Sequence, residues 1–157
     1  MFPELRKKKR SLSKEESIKV LIKGQEGILS TICENGYPYG VAVNFVYHND
    51  CVYFHCANKG YKLDNIKNNN KVSFFVSTDM EIVPNEFTTR YSSVVVFGRA
   101  TLVGREERRE ALIAIGEKYS KNFMEEGIKY IDKALDACSV VKIEIDHMTG
   151  KCSNKNN

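Results

Sequence analysis

Long apolar runs are missing from this 157-residue chain. None approaches the roughly 20 residues that cross a bilayer, and the basic N-terminus leads into an amphipathic segment rather than a signal-peptide core. The chain is therefore expected to be cytoplasmic and to make no membrane contact. No C-x-x-C pair occurs among the five cysteines Cys33, Cys51, Cys56, Cys138 and Cys152. An odd number of thiols in an unsecreted chain predicts reduced cysteines rather than disulfides. His48, Cys51, His55 and Cys56 offer zinc-type donors, but strand alternation puts Cys51 and His55 on one face and Cys56 on the other, so no metal site is expected. With only three prolines, and no low-complexity tract beyond a short Asn run, disorder is expected only at the ends.

What is present suits one ordinary domain: 42% hydrophobic and 28% charged residues, enough for a single core. Much of the net charge of +4 comes from Arg6 to Arg10, five basic residues in a row. Such a run reads as a solvated arm, and with no recognition helix or aromatic RNA-binding strand after it, nucleic acid is not an expected partner.

The period of apolar residues gives the elements. Ser13-Lys14-Glu15-Glu16 is a capping-box pattern, and Ile18, Leu21 and Ile22 recur at helical spacing up to Gly24. From Glu26 the pattern turns β-rich. Asn35-Gly36 marks a hairpin between Ile28–Cys33 and a strand from Tyr37 to His48, and a turn at Asn49-Asp50 leads to Cys51–His55, so residues 26–56 read as a three-stranded meander. A short helix opens at Gly60 with Leu63 and Ile66 on one face. A fourth strand carries Val72, Phe74 and Val76 inward, an irregular loop carries Pro84, and a fifth strand runs from Tyr91 to Val103. Glu106–Tyr119 is an amphipathic helix, residues 124–136 a weaker one, and Val141, Ile143 and Ile145 alternate in a last strand. These elements predict a mainly β fold with helical inserts, an antiparallel barrel of six or so strands. Its first three strands are joined by turns too short for parallel crossovers, which excludes a doubly wound dinucleotide fold.

The segment most suggestive of chemistry runs from His55 to Ile66. A strand ends there, a loop turns at Gly60, and a helix begins with Lys62 in its first turn. Orphan N–H groups, the positive end of a helix dipole and an ammonium together favour a phosphate, although a solvated surface lysine gives the same pattern.

Tyr37-Pro38-Tyr39, Val41-Ala42-Val43-Asn44-Phe45, Tyr53-Phe54-His55-Cys56-Ala57, Gly60-Tyr61-Lys62, Asn69–Phe74 and Tyr91–Ala100 stand in an order that resembles Nim-type (nitroimidazole-resistance) members of the pyridoxamine 5'-phosphate oxidase-related family, from about residue 10 to 151. The resemblance implies an FMN-binding split β-barrel, with residues 1–12 a basic flexible arm, 13–151 the domain and 152–157 a disordered tail. It also implies a homodimer holding flavin mononucleotide, FMN, between its subunits. Val41, Ala42, Val43 and Asn44 would line the isoalloxazine ring. His55, Cys56 and Ala57 would flank the ribityl chain and phosphate, Lys62 would hold the phosphate, and Ser93 would stand near the ring. His55, a lone imidazole, is also a candidate proton donor.

Two departures refine the expectation. Tyr61 stands where the oxidases carry a second phosphate-binding Arg, so neutralisation falls to Lys59 or to a distant Arg such as Arg90 or Arg99. The C-terminal Arg-x-His that recognises pyridoxamine phosphate is replaced by Thr149-Gly150-Lys151. The implied activity is therefore reduction of small electrophiles such as nitroaromatics, with NAD(P)H as a candidate electron donor. A non-catalytic flavin or haem carrier, a deazaflavin enzyme and a pyridoxamine-phosphate-oxidase-like activity are the alternatives.

Overall fold

The computed structural model describes Phe2 and residues 4–153. Its frame is one eight-stranded antiparallel sheet. The strands are β1 (Ser11–Leu12), β2 (Glu26–Ile32), β3 (Pro38–Asn44), β4 (Val46–His48), β5 (Cys51–Ala57), β6 (Lys71–Val83), β7 (Thr88–Leu102) and β8 (Cys138–Cys152). Their order is β3-β2-β6-β7-β8-β5-β4, with β1 added to β8. The sheet curls until β3 and β5 come alongside each other without ladder hydrogen bonds, which leaves the barrel split there.

Alternation fills the interior. Leu29, Phe74, Val76, Val94, Val96, Val52, Phe54, Val141 and Ile143 face inward and are buried, as expected of strands with one covered face. Helix α1 (Lys14–Lys23) plugs this core with Val20 and Leu21. The Ser13 capping box forms, with Glu16 N–H donating to Ser13 Oγ at 3.1 Å and Ser13 N–H to Glu16 Oε2 at 2.7 Å. The buried face is turned from the expected one: Ser17, Val20 and Leu21 point in while Ile22 is exposed. The cause is close approach, since a Cβ on Gly150 of β8 would fall on Ser17 Oγ, and only a small residue fits opposite it.

The meander over 26–56 does not form. β3 pairs with β2, while β4 and β5 sit at the other end of the sheet path, the chain changing sides at the buried Phe45. Helix α2 (Tyr61–Asn68) precedes β6. Helix α3 (Arg105–Tyr119) covers the outer face of β4, β5 and β8, packing Ala111, Ala114 and Ile115 on Val46, Tyr53 and Val140, and α4 (Met124–Ala134) packs on α3. Tyr53 Oη donates to Glu107 at 2.9 Å and Lys142 pairs with Glu107 at 3.1 Å, fixing that helix.

Two further expectations change. The loop around Pro84 is not irregular: β6 and β7 continue as a ribbon through Glu81↔Arg90, Ile82↔Thr89 and Val83↔Thr88, turned by a short 3-10 segment, Pro84–Glu86. At the domain edges, Ser11 and Leu12, placed in the arm, pair with Lys151 and Gly150, and Cys152, placed in the tail, ends β8. Residues 154–157 lie outside the described residues.

Candidate functional site at the barrel split

Four expected residues lie on β3, and alternation divides them. Val41 and Val43 pack against the core, whereas Ala42 and Asn44 are exposed on the outside of the barrel. Asn44 is held by a bond from its Nδ2 to Gln25 O at 3.0 Å. Beside them across the split, β5 ends with exposed His55 and Ala57 flanking Cys56, which packs inward. The structure therefore sets β3, with Val41–Asn44, alongside β5, with His55–Ala57, as two lips of one opening. Burial pushes the Cys56 thiol upward and outweighs the pull of the Lys62 ammonium, so this cysteine stays protonated at neutral pH.

Lys62 follows from the next turn. Asn58 clamps the loop, accepting from Ser139 Oγ at 2.7 Å and donating to Asp136 O at 3.1 Å. Gly60 then takes φ 145°, which a side-chain-bearing residue rarely adopts, and its carbonyl accepts from the N–H of Leu63 and Asp64 at 2.9 and 3.2 Å to start α2. The N–H groups of Tyr61 and Lys62 have no acceptor inside the helix and remain with the Lys62 ammonium for an outside anion. Nothing lies within 4 Å of where a Gly60 Cβ would be, so the approach is open. Inside, α2 is fixed by Asn65, only 2% exposed, whose Nδ2 donates to Thr31 Oγ1 at 3.0 Å and to Cys33 Sγ at 3.7 Å. The Tyr61 ring meets Tyr39 of β3 edge-on at 5.2 Å. That contact ties the helix start to the strand.

The remaining expectations are not brought here. Ser93 is 8% exposed and pairs with Ser77 and Lys151. It lies two residues from Val95, whose rung runs through Phe75 and Ile28 to Ala42 of the β3 lip three strands away, but nine residues from Leu102, the rung that leads through Val141 to Phe54 of β5, about 30 Å along the strand. Arg90 is spent on Glu86 at 2.9 Å and Glu81 at 3.5 Å, and Arg99 on Asp146 at 3.0 Å, which leaves Lys59 as the second cation of the loop. His48 turns to Glu110 at 3.0 Å, away from His55. Among the described residues no group of three or more His, Cys, Asp or Glu is placed to hold a metal.

Sequence reasoning missed what shapes the split. Phe45 N–H donates to Tyr119 Oη at 3.0 Å, and Lys118 Nζ donates to Phe45 O at 2.8 Å and Gly24 O at 2.5 Å while lying 4.0 Å from the Phe45 ring centroid. Two side chains at the end of α3 thus replace the ladder partners that Phe45 lacks. The available signal was Lys118 itself, an ammonium three residues after Ile115 on the apolar stripe.

A family model described as Pyridoxamine 5'-phosphate oxidase matches residues 13–152. The chain belongs to this family. Among solved structures it is similar to a candidate 5-nitroimidazole antibiotic resistance protein from Bacteroides thetaiotaomicron, at 27% identity over 90% of this chain and 86% of the other, with a TM-score of 0.79. An FAD-binding protein from Mesorhizobium loti (23% identity, 92% and 98% covered, TM-score 0.65) and an FAD and haem binding protein from Mycobacterium smegmatis (19%, 94% and 74%, 0.77) share the fold. No curated protein matches. Membership of the family fixes the split barrel, and the exposed lips and the Gly60–Lys62 turn are where this member presents polar groups.

Proposed function

We propose that the chain is one subunit of a homodimeric FMN-dependent reductase of small electrophiles, nitroaromatics among them, of the Nim type. The observation that carries this reading is the Gly60–Lys62 turn set beside the two lips of the split. The residues fit the cofactor's two ends. Lys62, the N–H groups of Tyr61 and Lys62, and Lys59 suit a phosphate. The small exposed Gly40 and Ala42 leave a flat strand face for a planar ring, since a Cβ on Gly40 would meet only ordinary contacts with Ile28 and Ser30. Similarity to the nitroimidazole resistance protein supports the Nim assignment, and the flavin-binding proteins of the same fold support the cofactor.

When bound, the flavin supplies reversible electron transfer. The chain's part is to anchor, orient and screen. Lys62 holds the anionic end, the backbone of Val41–Asn44 offers hydrogen-bonding groups along the rim, and exposed His55 is the proton carrier nearest the opening.

The second copy is supported by a face that no helix covers, with Phe2 stacked only on its Phe97–His147 rung. Ala42, Ile28, Phe75, Val95 and Thr149 form one cross-strand row on the outside of the barrel, while α1 and α2 serve the interior and α3 covers β4, β5 and β8. An apolar row of this kind is buried by a two-fold mate, and a mate also supplies the Ser93 that this chain holds far from its own Lys62.

Purified protein is expected to be yellow, dimeric, and to release FMN on denaturation. The bound flavin should bleach with NADH or NADPH and recolour on adding a nitroaromatic. A flavin that binds but exchanges electrons with neither would make the protein a carrier.

A further inference from the structure

The Gly60–Lys62 turn is braced by a chain of bonds that starts on α3. Arg105, Arg108 and Arg109 stand at i, i+3 and i+4, one face of that helix, and all three reach the chain just before β8. Arg109 forks onto Asp132 at 2.6 and 3.1 Å. Arg105 pairs with Asp136 at 3.5 Å, and Arg108 pairs with the same carboxylate at 3.6 Å while its Nη1 donates to Leu135 O at 3.2 Å. The segment they hold contributes little to the core: no residue of α4 is buried, and in the short 3-10 turn that follows, Leu135–Ala137, only Leu135 is.

The three arginines differ in cover. The side chains of Arg105 and Arg109 are 65% and 44% exposed, and ion pairs so open to water contribute little. Arg108 is 21% exposed, and its Nε is buried with no partner among the described residues. Covering a guanidinium that is only partly paired costs stability that an apolar side chain would not. What the arrangement supplies is geometry, because a planar, permanently charged group fixes both a carbonyl and a carboxylate of one short turn.

The next carbonyl of that turn is taken by the loop that precedes α2. Asp136 O accepts from Asn58 Nδ2 at 3.1 Å, Asn58 Oδ1 accepts from Ser139 Oγ at 2.7 Å, and Asn58 stands two residues before Gly60. Adjacent carbonyls of one turn are thus held, one by Arg108 and one by Asn58. We infer that Arg108 is a positioning residue for the cofactor phosphate: through Leu135, Asp136 and Asn58 it sets the place of the Gly60 turn, and with it the aim of the Tyr61 and Lys62 N–H groups and of the Lys62 ammonium. This inference rests on the phosphate reading above.

The test compares FMN and riboflavin affinities of Arg108→Met and Asn58→Ala, singly and together, and adds amide hydrogen exchange of the flavin-free protein. Each single variant is expected to weaken FMN about tenfold and riboflavin by no more than about twofold, since only the placement of the phosphate donors is lost. The double variant should be little weaker than either single, because both cut the same link. Arg108→Lys, which still brings a donor to Leu135 O, should recover most of the loss. The N–H groups of Leu63 and Asp64, which bond Gly60 O, should exchange faster in both single variants. Equal losses for FMN and riboflavin, or Arg108 and Asn58 effects that multiply, would show that Arg108 only supports the fold and would overturn the inference. Exchange at Leu63 and Asp64 unchanged in Arg108→Met, with the wild type still preferring FMN, would overturn the positioning role alone. A wild type that binds FMN no better than riboflavin would sink the phosphate reading and this inference together.

Discussion

Lys62 and Cys56 show how position divides two neighbouring groups between work and packing. The thiol turns inward and is kept protonated by burial, whereas the ammonium stands at the open start of a helix whose first N–H groups point outward. Only the second arrangement discriminates ligands by charge. Lys62→Ala should therefore weaken FMN by roughly ten- to a hundredfold, the ~1.5–3 kcal/mol of a charge-assisted contact, and leave riboflavin almost unaffected. Fluorescence titration of both ligands reads the difference. Equal losses would mean that Lys62 shapes the turn and does not hold the phosphate.

The junction between β3 and β4 shows what elements add to residues. The capping box of α1, the inward Val72, Phe74 and Val76, and the turn at Gly60 were legible because each follows from spacing within a few residues. The break at Phe45 was not, because its cause is some seventy residues away: Tyr119 and Lys118 take over the backbone groups of a buried residue, so one apparent strand becomes two that serve opposite ends of the sheet. The ribbon was hidden for a similar reason. Pro84 signals a turn but not that its flanks pair, and that depends on the register set by β6 and β7 behind it. Of the site, the residue types were readable and their facing was only half so, since β3 presents Ala42 and Asn44 and hides Val41 and Val43.

The same junction makes stability depend on pH in an alkaline window. Burial lowers the Lys118 pKa from 10.5 to about 8. Below pH 8 folded and unfolded chains both carry the proton, and between about 8 and 10.5 only the unfolded chain does, so the ammonium's burial cost is relieved and stability rises with pH. Lys118→Met should lose that rise and, by leaving buried carbonyls short of a donor, be less stable by about 1–3 kcal/mol at neutral pH. Urea midpoints at several pH values, taken as the difference between wild type and variant, cancel the tyrosines that titrate in the same range. A difference that stays flat from pH 7 to 10 would show that the two carbonyls and the Phe45 ring hold the charge on Lys118.

At the scale of the whole molecule, the proposed reductase and an oxidase for pyridoxamine phosphate would differ in the charge they must present to the substrate. An oxidase for pyridoxamine phosphate must pair a phosphate that it takes out of water. Here the end of β8 offers Thr149, Gly150 and Lys151, and the Lys151 ammonium already donates to Tyr91 Oη at 2.7 Å across the rung from Ser93. Arg90 and Arg99 are bound to carboxylates of their own chain and are not free to pair that phosphate. A phosphorylated amine would enter with its charge largely unpaired, a loss of several kcal/mol and so on the order of a thousandfold in selectivity. A planar neutral nitro compound needs only a flat surface and exclusion of water, which the lips of the split and an apolar mate would provide. With chemically reduced flavin under anaerobic conditions the protein should consume a small nitroaromatic, and in air it should form no useful amount of pyridoxal phosphate from pyridoxamine phosphate. Rapid pyridoxal phosphate formation without nitro reduction would return the protein to the vitamin-B6 branch and make Lys151 the first residue to examine as the phosphate's partner.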